Sequence, residues 1–107
     1  MTRKGDKKPG RSAKAEKKAK NHCVYLLLCK GNRIYTGYAV DLETRFMKHC
    51  QGTAAHFTRA FPPLRLLGSI DVPDRPTGLR LEAAIKKLST RQKRQLIAEL
   101  QQSHQSA

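Results

Sequence analysis

The chain has 107 residues, 28% of them charged and 38% hydrophobic, with 22 Lys and Arg against eight Asp and Glu and a formal net charge of +14. That length allows one small domain. No apolar run approaches the ~20 residues that cross a bilayer, and the basic N-terminus lacks the apolar stretch of a secretory signal, so a cytoplasmic protein with no membrane partner is expected. A single-sign field of this strength favours polyanions, and nucleic acid, DNA foremost, is the expected partner.

Residues 1–20 hold nine Lys and Arg, among them Lys4, Lys7, Lys8 and Arg11, against Asp6 and Glu16. With no large apolar residue after Met1, nothing offsets the entropy of ordering this stretch. A disordered basic tail that grips phosphates non-specifically is expected. A single domain then spans residues 21–102, and residues 103–107 are expected to fray.

Val24 to Cys29 is rich in strand formers and short enough to be a buried strand. Gly31-Asn32 tolerates positive φ at a hairpin tip, and Ile34 to Ala39 is the return strand. Tyr25 and Tyr35, ten residues apart, come near each other across that ladder. Gly37 leaves room for another backbone or a phosphate to approach.

Asp41 caps a helix that Gly52 ends, with Glu43 in its first turn. Leu42, Phe46 and Met47 form its buried stripe, and Arg45 and His49, four apart, share a face beside it. Residues 53–63 read as irregular and carry His56, Thr58 and Arg59, each able to touch phosphate. Leu64 to Ile70 is a third strand, and Asp71 to Pro76 a loop. A second helix over Thr77–Leu88 buries Leu81, Ala84, Ile85 and Leu88. A capping box, Ser89-x-x-Gln92, opens a third over Arg91–Gln101, which buries Leu96, Ile97 and Leu100. Lys86, Lys87 and Arg91 add to a nucleic-acid-binding surface. Three antiparallel strands flanked by helices, in the order β-β-α-β-α-α, make an α+β layer structure.

Cys23, Cys29 and Cys50 form no close pair and read as core thiols of a reducing compartment. With His22, His49, His56 and His104 they make no zinc pattern.

The ordered set Val24-Tyr25, Tyr35-Thr36-Gly37, Arg45, His49 and Glu82 resembles the GIY-YIG nuclease domain over residues 22–95. Cys23-Val24-Tyr25 stands for Gly-Ile-Tyr and Tyr35-Thr36-Gly37 for Tyr-Ile-Gly. The chain is most similar to the small stand-alone bacterial, UPF0213-like members, and similar also to the catalytic subunit of a structure-specific junction endonuclease. The resemblance implies a metal-dependent endonuclease. One of the two tyrosines, Tyr25 or Tyr35, would receive the proton of the attacking water. Arg45 would hold the scissile phosphate, where a guanidinium fork matches phosphate oxygens; Gly37 and Arg59 are expected beside it as phosphate contacts on the reading of the residues themselves. His49 would orient or relay a proton. Glu82 would hold one divalent cation, Mg²⁺ or Mn²⁺.

Each residue has a plainer reading. Glu82 can simply pair with Lys86 at i+4, Arg45 and His49 can be surface residues, and two tyrosines can pack on a sheet. The sequence departs from the family at Tyr38, where many members carry lysine. It departs again at Thr90 to Arg94, which lacks the family's asparagine. A domain this small has no separate sequence-reading module, so it would choose branched or damaged DNA by shape or through a protein partner. The alternative is a non-catalytic nucleic-acid-binding domain that keeps the fold.

Overall fold

A continuous apolar run makes β1 (Cys23–Cys29) the middle strand of a three-stranded sheet ordered β2-β1-β3 in the computed structural model, which describes residues 21–106. The tail of residues 1–20, with Lys4, Lys7, Lys8 and Arg11, lies outside the described residues. Both neighbours, β2 (Arg33–Ala39) and β3 (Pro63–Asp71), run antiparallel to β1. Helices cover both faces, which is why β1 shows no polar alternation. Val24, Leu26 and Leu27 are wholly buried, each worth ~1.5–3 kcal/mol relative to exposure.

The β1–β2 turn places Gly31 and Asn32 at positive φ, as predicted. Register then pairs Tyr25 with Gly37 and Leu27 with Tyr35. Directly paired residues share a face, so Tyr25 and Tyr35 lie diagonally on one side. That side also carries Cys23, Leu27, Cys29 and Ala39, and it packs against Leu42, Phe46 and Phe61. Val24, Leu26 and Leu67 face the other way, against Leu81, Ile85, Leu96, Ile97 and Leu100. The register of β3 against β1 shifts twice, between Leu26 and Leu27 and between Leu28 and Cys29. Those irregularities account for the broken alternation of its sequence.

The first face is covered by α1 (Leu42–Gln51). Asp41 caps it by accepting from the Thr44 amide and hydroxyl, and Gly52 ends it in the left-handed region. Met47, expected inside, is 56% exposed. The buried stripe runs Leu42, Phe46, His49, and Met47 falls one residue off it. Residues 53–63 are not wholly irregular, because His56–Ala60 forms a short α2. Its N-cap, Ala55, makes no side-chain bond, so no capping signal marks it.

The second face is covered by α3 (Arg75–Lys86) and α4 (Thr90–Ser106). The start of α3 lies two residues before the predicted Thr77. Asp74 accepts from the Thr77 amide at 2.9 Å, and a proline sits in the first turn, where its missing N–H costs nothing. Ala84 is exposed, and Gly78 and Ile85 are the buried positions. The Ser89–Gln92 capping box forms in both directions. Beyond the expected end at Gln101, α4 continues to Ser106, with no Gly or Pro to stop it. Cys23 and Cys29 are buried free thiols, whereas Cys50 is exposed. Among the described residues, no helix is long and apolar enough to cross a membrane.

Candidate active site

Arg45 and His49 are one turn apart on α1, yet they end in different surroundings. His49 points into the sheet and is 1% exposed, while Arg45 is exposed at the rim. The difference follows from α1 lying against the β1–β2 face: residues in line with Leu42 and Phe46 go in, and those beside them stay out.

Beneath the rim runs a chain of three hydrogen bonds. Thr58 of α2 donates its hydroxyl to the Ala55 carbonyl at 3.3 Å. A carbonyl only accepts, so the Thr58 oxygen is left to accept from His49 Nδ1–H at 2.7 Å. His49 Nε2 is then the unprotonated nitrogen, and Tyr25 Oη donates to it at 2.7 Å. The neutral form this requires is favoured by the surroundings. Burial pushes the His49 pKa down, and the Arg45 charge pushes it further. Burial raises Tyr25 far above the ordinary phenol range, with Tyr35 and Glu82 adding to the rise against Arg45. Tyr25 is therefore a neutral phenol at rest.

Tyr35 is the link between this chain and the surface. Its ring centroid is 6.4 Å from that of Tyr25 and 5.0 Å from the His49 ring. Gly37 holds the arrangement open, since a Cβ there would sit 2.4 Å from Tyr25 Oη and 3.0 Å from Tyr35 Cε2. The room expected at Gly37 for a phosphate is thus filled by the Tyr25 phenol.

Above them is a cavity of about 350 Å³ at the β2 edge, lined by Tyr35, Tyr38, Arg45, Lys48, Arg75 and Glu82 among others. It brings Tyr35, Arg45 and Glu82 together, with Tyr25 and His49 directly behind. Burial and Glu82 raise the Tyr35 pKa, opposed by Lys86 and Arg45. Glu82 makes the plain contact too, with Lys86 Nζ 3.1 Å from its Oε2. Asp41 also lines the cavity, but both its oxygens are engaged by Thr44 in the α1 cap. Among the described residues, no group of three or more His, Cys, Asp or Glu is arranged to hold a metal. A single carboxylate in an open polar cavity suits Mg²⁺ or Mn²⁺, which keeps most of its waters, and does not suit zinc.

Not every residue singled out in the sequence reaches this place. Arg59 lines a separate hollow with Gly52, Thr53 and His56. Thr58 is 1% exposed and touches His49, so it is no phosphate contact. Lys87 and Arg91 are exposed near the α3–α4 junction and do not line the cavity. Lys48 and Arg75, which carry no functional-motif signal in the sequence, also line it. Arg75 lay in a stretch read as loop, although Asp74-Arg75-Pro76 carries a helix-start signal. Its guanidinium lies over the Tyr38 ring at 5.5 Å. That ring is seated against Gly78, where a Cβ would come within 2.4 Å of it.

Comparison with known proteins identifies the family of the chain. The model of the GIY-YIG catalytic domain matches residues 21–95. A UPF0213 protein of Xanthomonas axonopodis is 48% identical over 65 residues, covering 61% of this chain and 64% of that protein, so the match spans less than two thirds of that relative. A UPF0213 protein of Halalkalibacterium halodurans is 41% identical, covering 73% of this chain and 83% of its own. One of Cupriavidus pinatubonensis is 42% identical, covering 74% and 88%. The solution NMR structure of the UPF0213 protein BH0048 from Bacillus halodurans aligns with 41% identity and a TM-score of 0.48, covering 73% of this chain and 83% of that one. With the family model matched over residues 21–95, the chain belongs to the GIY-YIG catalytic-domain family.

Proposed function

We propose that this protein is a metal-dependent endonuclease that hydrolyses phosphodiester bonds in DNA, chosen by structure rather than sequence. The observation that carries the reading is the 2.7 Å separation of Tyr25 Oη from His49 Nε2, set behind a cavity walled by Arg45 and Glu82.

A phosphate in that cavity meets the Arg45 guanidinium, with Lys48 and Arg75 on the same walls. Water attacks phosphorus and gives its proton to Tyr25 Oη as Tyr25 passes its own to His49 Nε2. The bond from phosphorus to the leaving oxygen breaks, and that oxygen is protonated by solvent. No free phenolate is needed, which matters because burial holds Tyr25 protonated. The lowered His49 pKa lets the proton leave again between turnovers. Glu82 is the residue that would hold one divalent cation, whose chemistry when bound is charge neutralisation at the phosphate.

A second reading, a DNA-binding domain without turnover, draws on the Glu82–Lys86 pair and on Tyr38 where many family members carry lysine. Incubating forked, nicked and four-way DNA with Mg²⁺ or Mn²⁺ separates the two. The nuclease reading requires cleavage by the wild type that disappears in Glu82→Ala while binding persists. Binding by both proteins with cleavage by neither would leave the second reading standing.

A further inference from the structure

An aromatic row leaves the cavity along the α2 side of the sheet. Tyr35, on the cavity wall, lies 5.6 Å from the Phe57 ring, and Phe57 lies 5.3 Å from Phe61. The row ends where the Arg33 guanidinium sits 3.8 Å over the Phe61 ring. Phe57 is 36% exposed. The row is held at both ends. Thr58 of the same short helix is bonded to His49, and the hairpin tip is tied to the link between α2 and β3 by Lys30 N–H to the Pro62 carbonyl at 2.9 Å.

We propose that Phe57, between Tyr35 and Phe61, is a stacking shelf for an unpaired base next to the scissile phosphate, so that the substrate is DNA with a single-stranded arm at the cut. The inference rests on the nuclease reading of the cavity. In a duplex, the faces of internal bases are covered by their neighbours, and exposing one to a ring carries an unstacking cost, whereas every base of an unpaired arm offers its face. A row of rings flanked by a guanidinium is the surface that tracks a single strand, the rings taking bases and the cation a phosphate. The shelf begins on the wall that holds Tyr35, so a strand whose phosphate lies against Arg45 continues onto it.

The sequence contains no tryptophan, so Phe57→Trp places a single indole on the shelf. Its fluorescence is measured in EDTA, without cleavage, against an oligothymidine strand, a forked DNA with oligothymidine arms, and a blunt duplex of the same paired sequence. Strong quenching by the strand and the fork is expected, and at most weak quenching by the blunt duplex, whose only uncovered base faces are at its two ends. In a parallel binding titration, Phe57→Leu should weaken fork binding about tenfold and leave duplex binding unchanged, whereas Phe57→Tyr should bind as the wild type does. Equal quenching by fork and duplex, no quenching by either, or wild-type fork binding by Phe57→Leu would overturn the shelf. Its failure is separable from that of the nuclease reading. Glu82-dependent cutting of fork and duplex alike, indifferent to Phe57→Leu, refutes the shelf alone. Selective quenching without cleavage under any metal supports the shelf and refutes the nuclease.

Discussion

Tyr25 Oη lies 2.7 Å from His49 Nε2, and the opposite nitrogen of the same ring lies 2.7 Å from Thr58 Oγ1. The imidazole is therefore fixed between a phenol and a threonine that α2 supplies. If Thr58 sets which nitrogen carries the proton, Thr58→Val should release the tautomer and lower the cleavage rate by ten- to a hundredfold, with Thr58→Ser restoring it. Nitrogen chemical shifts of the His49 ring report the tautomer directly. They should show Nδ1 protonated in the wild type and in Thr58→Ser, and a mixture in Thr58→Val.

The depressed His49 pKa makes a paired statement about pH. An unfolded chain protonates this histidine near pH ~6.5, while the folded chain does so only at lower pH. Below ~6.5 the unfolded state binds more protons, so stability is fully present above that value and declines as pH falls toward the folded pKa. Melting temperatures between pH 7.5 and 5 should fall, and His49→Gln should flatten the slope. The proposed proton transfer needs the neutral ring, so the cleavage rate should hold through the ordinary histidine range and drop only below it.

Gly37→Ala tests the packing of the site. The added Cβ meets Tyr25 Oη at 2.4 Å, and Tyr25 is 1% exposed with no space to retreat. Overpacking of this kind costs ~1–3 kcal/mol. Denaturant titration should show that loss, and cleavage should fall further than stability alone explains, because the phenol is pushed off His49.

Arg75 is expected to contact phosphate. It lines the cavity and is steadied over the Tyr38 ring. A lost charge-assisted contact costs ~1.5–3 kcal/mol, so Arg75→Ala should weaken DNA binding by ten- to a hundredfold. The slope of log affinity against log salt should shrink by about one. Arg75→Lys should keep the slope and recover only part of the affinity.

The local elements were legible wherever one residue type carries a signal. The Asp41 cap, the Gly52 stop, the Gly31-Asn32 turn and the Ser89–Gln92 box all sit where their chemistry places them. Hidden from the sequence was whatever depends on which side of a helix meets the sheet. Arg45 and His49 share spacing with a common face, but only the docking angle of α1 separates a rim cation from a buried imidazole. Met47 was misplaced for the same reason. Thr58 looked like a polar loop residue because α2 is five residues long and uncapped by any side chain. Arg75 was missed because its partner, Tyr38, comes from a strand far away in sequence. The five residues the family resemblance singled out do gather around one cavity, three on its walls and two behind.

Single-turnover cleavage of a forked DNA in Mg²⁺ by the wild type, Tyr25→Phe and Tyr35→Phe tests the central claim most directly. Only the Tyr25 hydroxyl has His49 as acceptor, so Tyr25→Phe should bind normally and lose at least about a thousandfold in rate, within the range of general acid–base effects. Tyr35→Phe should lose far less. Cleavage by Tyr25→Phe within a few-fold of the wild-type rate would contradict the account.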